Sequence, residues 1–397
     1  MSRALQLYLQ QVAQATRQQD GSALASLLNT ETTATALLND VRRERNIESR
    51  CEVLGAGYDE LIASHLLSLP YLLDQYYLEA YSHCATCFNA FTRVFKDSEG
   101  NWMLPVLRCL LVNLRVVAAG ADDILASRGQ KLEKQEDAER VIKRCFPITM
   151  TDRSALNQSK KWGSLCIINN LFKIYFGLNN LRLCKNLIAY VTGPGFPPLE
   201  KFPKADSVTY NYFVGRLSMF HGDYKKAREE LSFAFYKCTQ RSPKNKRLIL
   251  TYLIPCQLLA GRLPSQYLLE KYSLDHFSEL IAAIRRGNLL AFNEALAKHQ
   301  ELFIQKGIYL ILEKLKFLTY RNLFKRVFMI RNNTKLALSD FQTALSWMGV
   351  DKEKEEIECI LANLIYQGYI KGYLSHKMGV LVVSANNAFP PPHTFLS

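Results

Sequence analysis

The chain has 397 residues, a hydrophobic share of 48% and a formal net charge of +14, from 50 Lys and Arg against 36 Asp and Glu. That length suits two or three domains or a repeat array, and the apolar share excludes a disordered chain. The cation excess suits RNA, DNA, anionic lipid, an acidic protein or a merely solubilised surface, and composition does not choose among them.

Only 19 Gly and 13 Pro interrupt the chain, which favours long helices over many short strands. Most of the ten cysteines, including Cys109, Cys166, Cys184, Cys256 and Cys359, sit in apolar helical segments. They read as free thiols that pack as small hydrophobes in a reducing compartment. No apolar signal core follows Met1, and the most apolar run, 106–121, is broken by Arg108, Asn113 and Arg115. The expectation is therefore a soluble intracellular chain with no membrane span.

In chain order, Leu5, Leu9 and Val12 recur at helical spacing, as do Leu61, His65, Leu66 and Leu69. One long aromatic-rich helix is predicted over 71–95 and another over 101–118, with Pro105 tolerated in its first turn. Helices over 160–176 and 181–191 follow. Gly193-Pro-Gly-Phe-Pro-Pro198 is the densest breaker cluster and predicts a long loop. From Asp206 a repeat unit begins: Tyr212, Gly215 and Phe220 on one helix, a turn at Gly222-Asp-Tyr224, then Ala227, Leu231 and Phe235 on the returning helix. A looser second hairpin covers 280–299 and turns at Gly287-Asn288. Such tetratricopeptide-like pairs bury their apolar faces only by stacking into a solenoid.

The tail changes character. A basic amphipathic helix is predicted over 320–331, and Ser339-Asp-Phe-Gln342 reads as a capping box opening a second helix to Trp347. A third helix starts near Lys352, carries Ile357, Ile360, Leu361, Leu364 and Ile365 on its apolar stripe, and stops at Gly368. Strand-like runs at 369–374 and 380–384 complete the element order of a winged helix. The expected fold is all-α, a helical-repeat solenoid followed by a winged helix with a small hairpin wing. Its expected parts are N-terminal repeats at 1–200, a helical subdomain at 201–305, the winged helix at 306–385 and a loose tail at 386–397.

Catalytic and cofactor motifs are missing. There is no phosphate-binding Gly-rich loop followed by Lys and Ser or Thr, no His-Glu-x-x-His and no Gly-x-Ser-x-Gly. His83-Cys84-Ala-Thr-Cys87 has no second cysteine pair to complete a zinc site, so packing on a helix is its reading. Asp122-Asp123 reads as a helix N-cap. No enzyme activity, metal or cofactor is expected.

The cations say more. Lys306, Lys314, Lys316, Arg321, Lys325, Arg326, Arg331 and Lys335 share a segment with one acid, Glu313, and Lys371 and Lys377 fall on the wing. All of these except Lys306 form the candidate nucleic-acid set, although each cluster alone also reads as a solvated face. Tyr320 and Phe324 are interleaved with them, as stacking groups or as core. The leading end of the third helix, Asp351-Lys-Glu-Lys-Glu-Glu-Ile-Glu358, would repel phosphate, where a helix-turn-helix normally enters the major groove. Contact is expected instead through the first helix and the wing, on the backbone and without reading sequence. A second basic run, Arg241 to Arg247, is expected on a loop between repeat helices.

A helical array running into a winged helix resembles the PCI-domain family. The strings Lys160-Lys-Trp-Gly163, Asn170-Leu-Phe-Lys-Ile-Tyr-Phe176, Leu318-Thr-Tyr-Arg-Asn-Leu-Phe-Lys325, Cys359-Ile-Leu-Ala-Asn-Leu-Ile-Tyr366 and Gly368-Tyr-Ile-Lys-Gly-Tyr373 are similar to the branch of that family that serves transcription-coupled mRNA export. Asn245-Lys-Arg247 and Phe389-Pro-Pro391 agree. The resemblance covers the chain from about Lys160 onward and is looser before it. It implies a non-enzymatic subunit in the nucleus, at the nuclear pore and in the nucleoplasm, with some cytoplasmic pool. It implies three partners: a large PCI-bearing scaffold protein, a small acidic disordered protein, and RNA or DNA backbone bound independently of sequence. The acidic partner is then expected at Lys244, Lys246 and Arg247. The other reading within the family is a pure scaffold of signalosome or proteasome-lid type.

Overall fold

The computed structural model describes residues 3–30, 35–55 and 57–392. It divides into two compact units, Met1–Tyr210 and Asn211–Ser397. Helix Lys204–Phe220 runs unbroken through the division at Tyr210.

The first unit is helical. The long helix expected over 71–95 is two helices, Tyr58–Leu73 and Tyr77–Asp97. Pro70 lies in the last turn of the first and cannot donate to the carbonyl four residues back. Gln75 then takes a left-handed φ of 58°, and Tyr76 N–H closes on the Tyr71 carbonyl at 2.8 Å. Periodicity spans the break because both helices pack into one core.

Helix Leu104–Ser127 extends well beyond its expected end and is, by length and composition, apolar enough to cross a membrane. Its contacts make it a core helix. Leu107, Leu110, Leu111, Leu114, Ala118 and Ala121 are buried, Arg108 forms a two-pronged ion pair with Asp206 at 2.7 and 2.8 Å, and Arg115 Nε donates to Asn170 Oδ1 at 3.0 Å. Asp122 lies inside this helix, so it is not that helix's own N-cap. Its buried carboxylate instead accepts from the N–H groups of Glu133, Lys134 and Gln135, at the start of helix Lys134–Met150. A capping carboxylate is thus supplied from another helix, satisfying donors that have no partner within their own.

His65, on Tyr58–Leu73, is 3% exposed, and burial pushes its pKa down to about 4. The folded state therefore keeps the ring neutral down to that pH, whereas an unfolded chain protonates it near 6.5. Stability from this site is complete above about pH 6.5 and is lost as pH falls from there toward 4, by on the order of 3 kcal/mol at most. His65→Leu is expected to flatten the denaturation midpoint between pH 6.5 and 4.5. An equally steep profile in that variant would assign the acid sensitivity elsewhere.

Helix Lys204–Phe220, which ends in the second unit, and helix Tyr224–Lys237 form the expected hairpin. A Cβ at Gly215 would fall 2.6 Å from Leu231 Cγ, so the close approach requires glycine there. The second hairpin, Ser278–Arg286 and Leu289–Lys298, turns at Gly287 with φ +66°. Helix Ser278–Arg286 packs on Lys316–Arg331, the first helix of the winged helix, and Asn322 Nδ2 donates to the Ile284 carbonyl at 2.7 Å.

The winged helix follows the order helix Lys316–Arg331, strand β1 (Lys335–Ala337), helix Leu338–Trp347, helix Lys354–Tyr366, strand β2 (Gly372–Ser375) and strand β3 (Val380–Val383). The sheet is antiparallel with order β1-β3-β2, one strand more than the expected hairpin. That extra strand displaces the capping box expected at Ser339–Gln342. β1 runs directly into the second helix, buried Leu338 donates to the Gly379 carbonyl, and the N-cap is Ala337 with no side-chain bond. A capping box is present on the third helix, between Glu353 and Glu356. That helix buries Ile357, Leu361 and Leu364, with Ile360 and Ile365 half-buried beside them.

The tail expected to be loose is anchored as far as it is described. Ala388, Phe389, Pro390 and Pro392 are buried, and Lys371 N–H donates to the Ala388 carbonyl at 2.8 Å. Residues 393–397 of that expected tail lie outside the described residues.

Candidate nucleic-acid interface

Helix Lys316–Arg331 sorts its own cations. Leu318, Tyr320, Leu323, Phe324 and Val327 are buried, and the Phe324 ring meets Phe341 edge-on at 4.8 Å. Tyr320 and Phe324 are therefore core and offer no free ring to a base. Lys325 and Arg326 are exposed and have no ion-pair partner among the described residues.

Arg321 does not belong with them. It is 7% exposed, and its guanidinium donates through Nη2 to the carbonyls of Phe389 and Pro390 at 2.7 and 2.9 Å, and through Nη1 to Asn322 Oδ1 at 2.8 Å. Burial lowers its pKa from the ordinary guanidinium value. Arg321 is a staple that holds the closing segment on the first helix, and phosphate cannot reach it. This corrects both its place in the candidate set and the loose tail, since a planar donor fork between two backbone carbonyls needs those carbonyls held still.

The remaining candidates vary. Lys314 Nζ donates to the Tyr224 hydroxyl at 2.9 Å but stays exposed, and Lys316 is half-buried. Arg331 is exposed yet paired with Asp340. Lys335 on β1, Lys371 just before β2 and Lys377 in the wing turn are exposed, with no ion-pair partner among the described residues.

The acidic leading end of the third helix is engaged within the fold. Glu356 closes the capping box and pairs with Lys352 at 2.5 Å, and Glu358 meets the wing-turn His376 ring at 2.7 Å. These carboxylates still present negative charge where a major-groove reader would need the opposite.

The second basic run sits on a helix, not on the expected loop, because Pro243 opens helix Pro243–Leu259 at its first position. Lys244 and Arg247 face solvent. Lys246 is 6% exposed, donates through Nζ to the Phe235 carbonyl at 2.9 Å and lies 4.4 Å from the Phe235 ring centre. Lys246 thus ties two helices together, leaving Lys244 and Arg247 as the cations an acidic partner could meet.

On the winged helix, three exposed aromatic residues lie outside the set expected from sequence. Tyr373 on β2 is 63% exposed, and Trp347 and Tyr366, at the ends of the second and third helices, are more so. Strand alternation held the signal for Tyr373, since buried Ile370 and partly buried Leu374 lie out of phase with it.

The Cys84 and Cys87 thiols offer little chemistry. Burial pushes Cys84 up to about 12 and Cys87 well above its ordinary value, disfavouring the thiolates that bind metal or attack carbonyls. Among the described residues no group of three or more His, Cys, Asp or Glu is placed to hold a metal ion. A cleft of about 760 Å³ in the first unit, lined by Leu104, Arg108, Cys109, Trp162 and Cys166, contains two thiols that burial raises to about 11 and an arginine already paired with Asp206.

A PCI domain matches residues 296–385. The Xenopus laevis "PCI domain-containing protein 2" is 43% identical over 98% of this chain and 98% of its own length. The Dictyostelium discoideum "PCI domain-containing protein 2 homolog" is 44% identical over 88% of this chain and 83% of its own. The Neurospora crassa "Protein CSN12 homolog" is 36% identical over 73% and 72%. With near-complete coverage at that identity, and with the helical array and winged helix in their expected order, the chain belongs to the PCI domain-containing protein 2 family of PCI scaffold subunits.

Proposed function

We propose that the chain is a non-enzymatic scaffold and nucleic-acid-binding subunit of the nuclear-pore-associated transcription and export complex. It would act in the nucleus, beside a larger PCI-bearing scaffold subunit and a small acidic subunit, and couple transcription to mRNA export. The observation that carries the nucleic-acid part is the set Lys325, Arg326, Lys335, Lys371 and Lys377. All five are exposed on the winged helix and none has a carboxylate partner among the described residues. Unpaired cations neutralise phosphates and release counterions without reading sequence. Family membership supports the scaffold part.

Lys325→Glu with Arg326→Glu tests the reading, on the full chain alone and reconstituted with both subunits. Affinity for single-stranded RNA should fall alike for all sequences. The log–log salt slope should flatten by about one unit or more, at roughly 0.7 per lost phosphate contact. Unchanged affinity and slope in the complex would make these cations a solvated face, and a pure scaffold of signalosome or lid type would become the better reading.

A further inference from the structure

The wing's sheet carries an arrangement that the cations alone do not explain. Lys335 on β1 stands opposite Val382 on β3, and Val382 stands opposite Tyr373 on β2. Residues directly opposite in an antiparallel ladder place their side chains on the same face, so these three form one row across all three strands. Lys371 is two residues before Tyr373, and its carbonyl accepts from Ser384 N–H at 2.8 Å, so the pairing extends to it. Alternation then puts Lys371 on the same face as Tyr373. The other face is the core side, with Leu336, Leu381 and Val383 buried. The outer face thus presents a phenol ring 63% exposed, with one lysine two strands away and another two residues along its own strand.

Charge on this face is one-sided. No Asp or Glu occurs after Glu358, and none occurs between Glu313 and Asp340, so no strand of the sheet contains a carboxylate. An aromatic ring exposed among cations on a carboxylate-free sheet is the pattern of a stacking platform. Every base has a flat face for the ring, and the lysines meet the flanking phosphates. A duplex keeps its base faces stacked internally, so only a single strand can use it. A protein partner fits less well, because interface cores are depleted in Lys and gather apolar neighbours, whereas Tyr373 is flanked by Lys335, Lys371, Val382 and Ser375.

We propose that the outer face of the wing sheet is a single-strand binding site in which Tyr373 stacks on a base and Lys335 and Lys371 hold the adjacent phosphates. This rests on the nucleic-acid reading above and specifies its ligand as single-stranded.

The test uses the full chain with a fluorescent 12-nucleotide oligouridylate, an oligoadenylate of equal length and a 12-base-pair RNA duplex as probes. Tyr373→Ala should weaken binding to both single strands by about fivefold to a hundredfold, leave the salt slope unchanged and leave duplex binding unaltered. Lys335→Ala with Lys371→Ala should instead flatten the slope, by roughly 0.7 for each contact. Tyr373→Trp should retain affinity, and its added indole emission, taken as the difference from the parent protein, should be quenched on binding. If the parent protein binds single strands and Tyr373→Ala binds them equally well, the stacking site is wrong while the nucleic-acid reading stands. The stacking site is equally overturned if Tyr373→Ala loses a protein partner with RNA affinity intact. If the parent protein binds no RNA, both fall.

Discussion

Leu361→Asp is expected to unfold the winged helix. Leu361 is fully buried on helix Lys354–Tyr366, in the same stripe as Ile357 and Leu364. The substitution removes a core side chain, at about 2–5 kcal/mol, and places a carboxylate in the buried apolar stripe, at several kcal/mol more unless it protonates. Against a typical domain stability of about 5–15 kcal/mol, that loss exceeds what a small three-helix module with a short sheet can absorb. Thermal melting and limited proteolysis should show loss of the protected C-terminal fragment and of assembly with partners. Ile365→Asp, at a half-buried neighbouring position, should be milder. A Leu361→Asp protein with an unchanged melting temperature and intact assembly would show that the third helix is not packed as described.

The second large effect is expected at Gly287, and a matched glycine isolates its cause. Gly287 and Gly222 both have positive φ, +66° and +82°, and both sit in the turn of a helical hairpin. A Cβ at Gly222 would meet nothing within 4 Å, whereas one at Gly287 would lie 2.5 Å from the Leu323 nitrogen and 2.8 Å from its Cα. Gly222→Ala therefore carries only the left-handed backbone cost, about 1–2 kcal/mol. Gly287→Ala adds a clash with the backbone of helix Lys316–Arg331, which can relieve it only by moving the winged helix away from the hairpin. A total of about 3 kcal/mol or more is expected, with several degrees lost in the melting temperature of the second unit. Equal destabilisation by the two substitutions would mean that the hairpin and winged helix do not approach as closely as the turn geometry requires.

Much of this architecture was legible from residue pattern. Helical periodicity identified both hairpins, small residues at Gly215 and Ala227 marked a close approach, Gly287 marked a turn, and the element order of the tail pointed to a winged helix. The departures were local. Periodicity ran across the break at Asp74 to Tyr76 because one core serves both helices, and the third strand at Lys335 to Ala337 was too short to alternate visibly. Helix Leu104–Ser127 runs past its expected end at Ala118, and within it Arg108 and Arg115 find polar partners on neighbouring elements.

The candidate site was legible as composition and illegible as geometry. Arg321, Lys325 and Arg326 are adjacent cations on one helix, yet one is buried against two carbonyls and two face solvent. Lys246 parts from Lys244 and Arg247 in the same way. Tyr320, which sequence left open between stacking and core, is sunk in the core, and Tyr373, to which sequence assigned no role, stands exposed on the sheet. Sequence was enough to establish helix periods, the cation excess and the carboxylate-free tail, because these depend on neighbours along the chain. Which cations remain available to a partner depends on partners far away in sequence, such as the Phe389 carbonyl 68 residues beyond Arg321. A side chain's charge is a property of its residue type, whereas its accessibility is conferred by whatever else the fold packs against it.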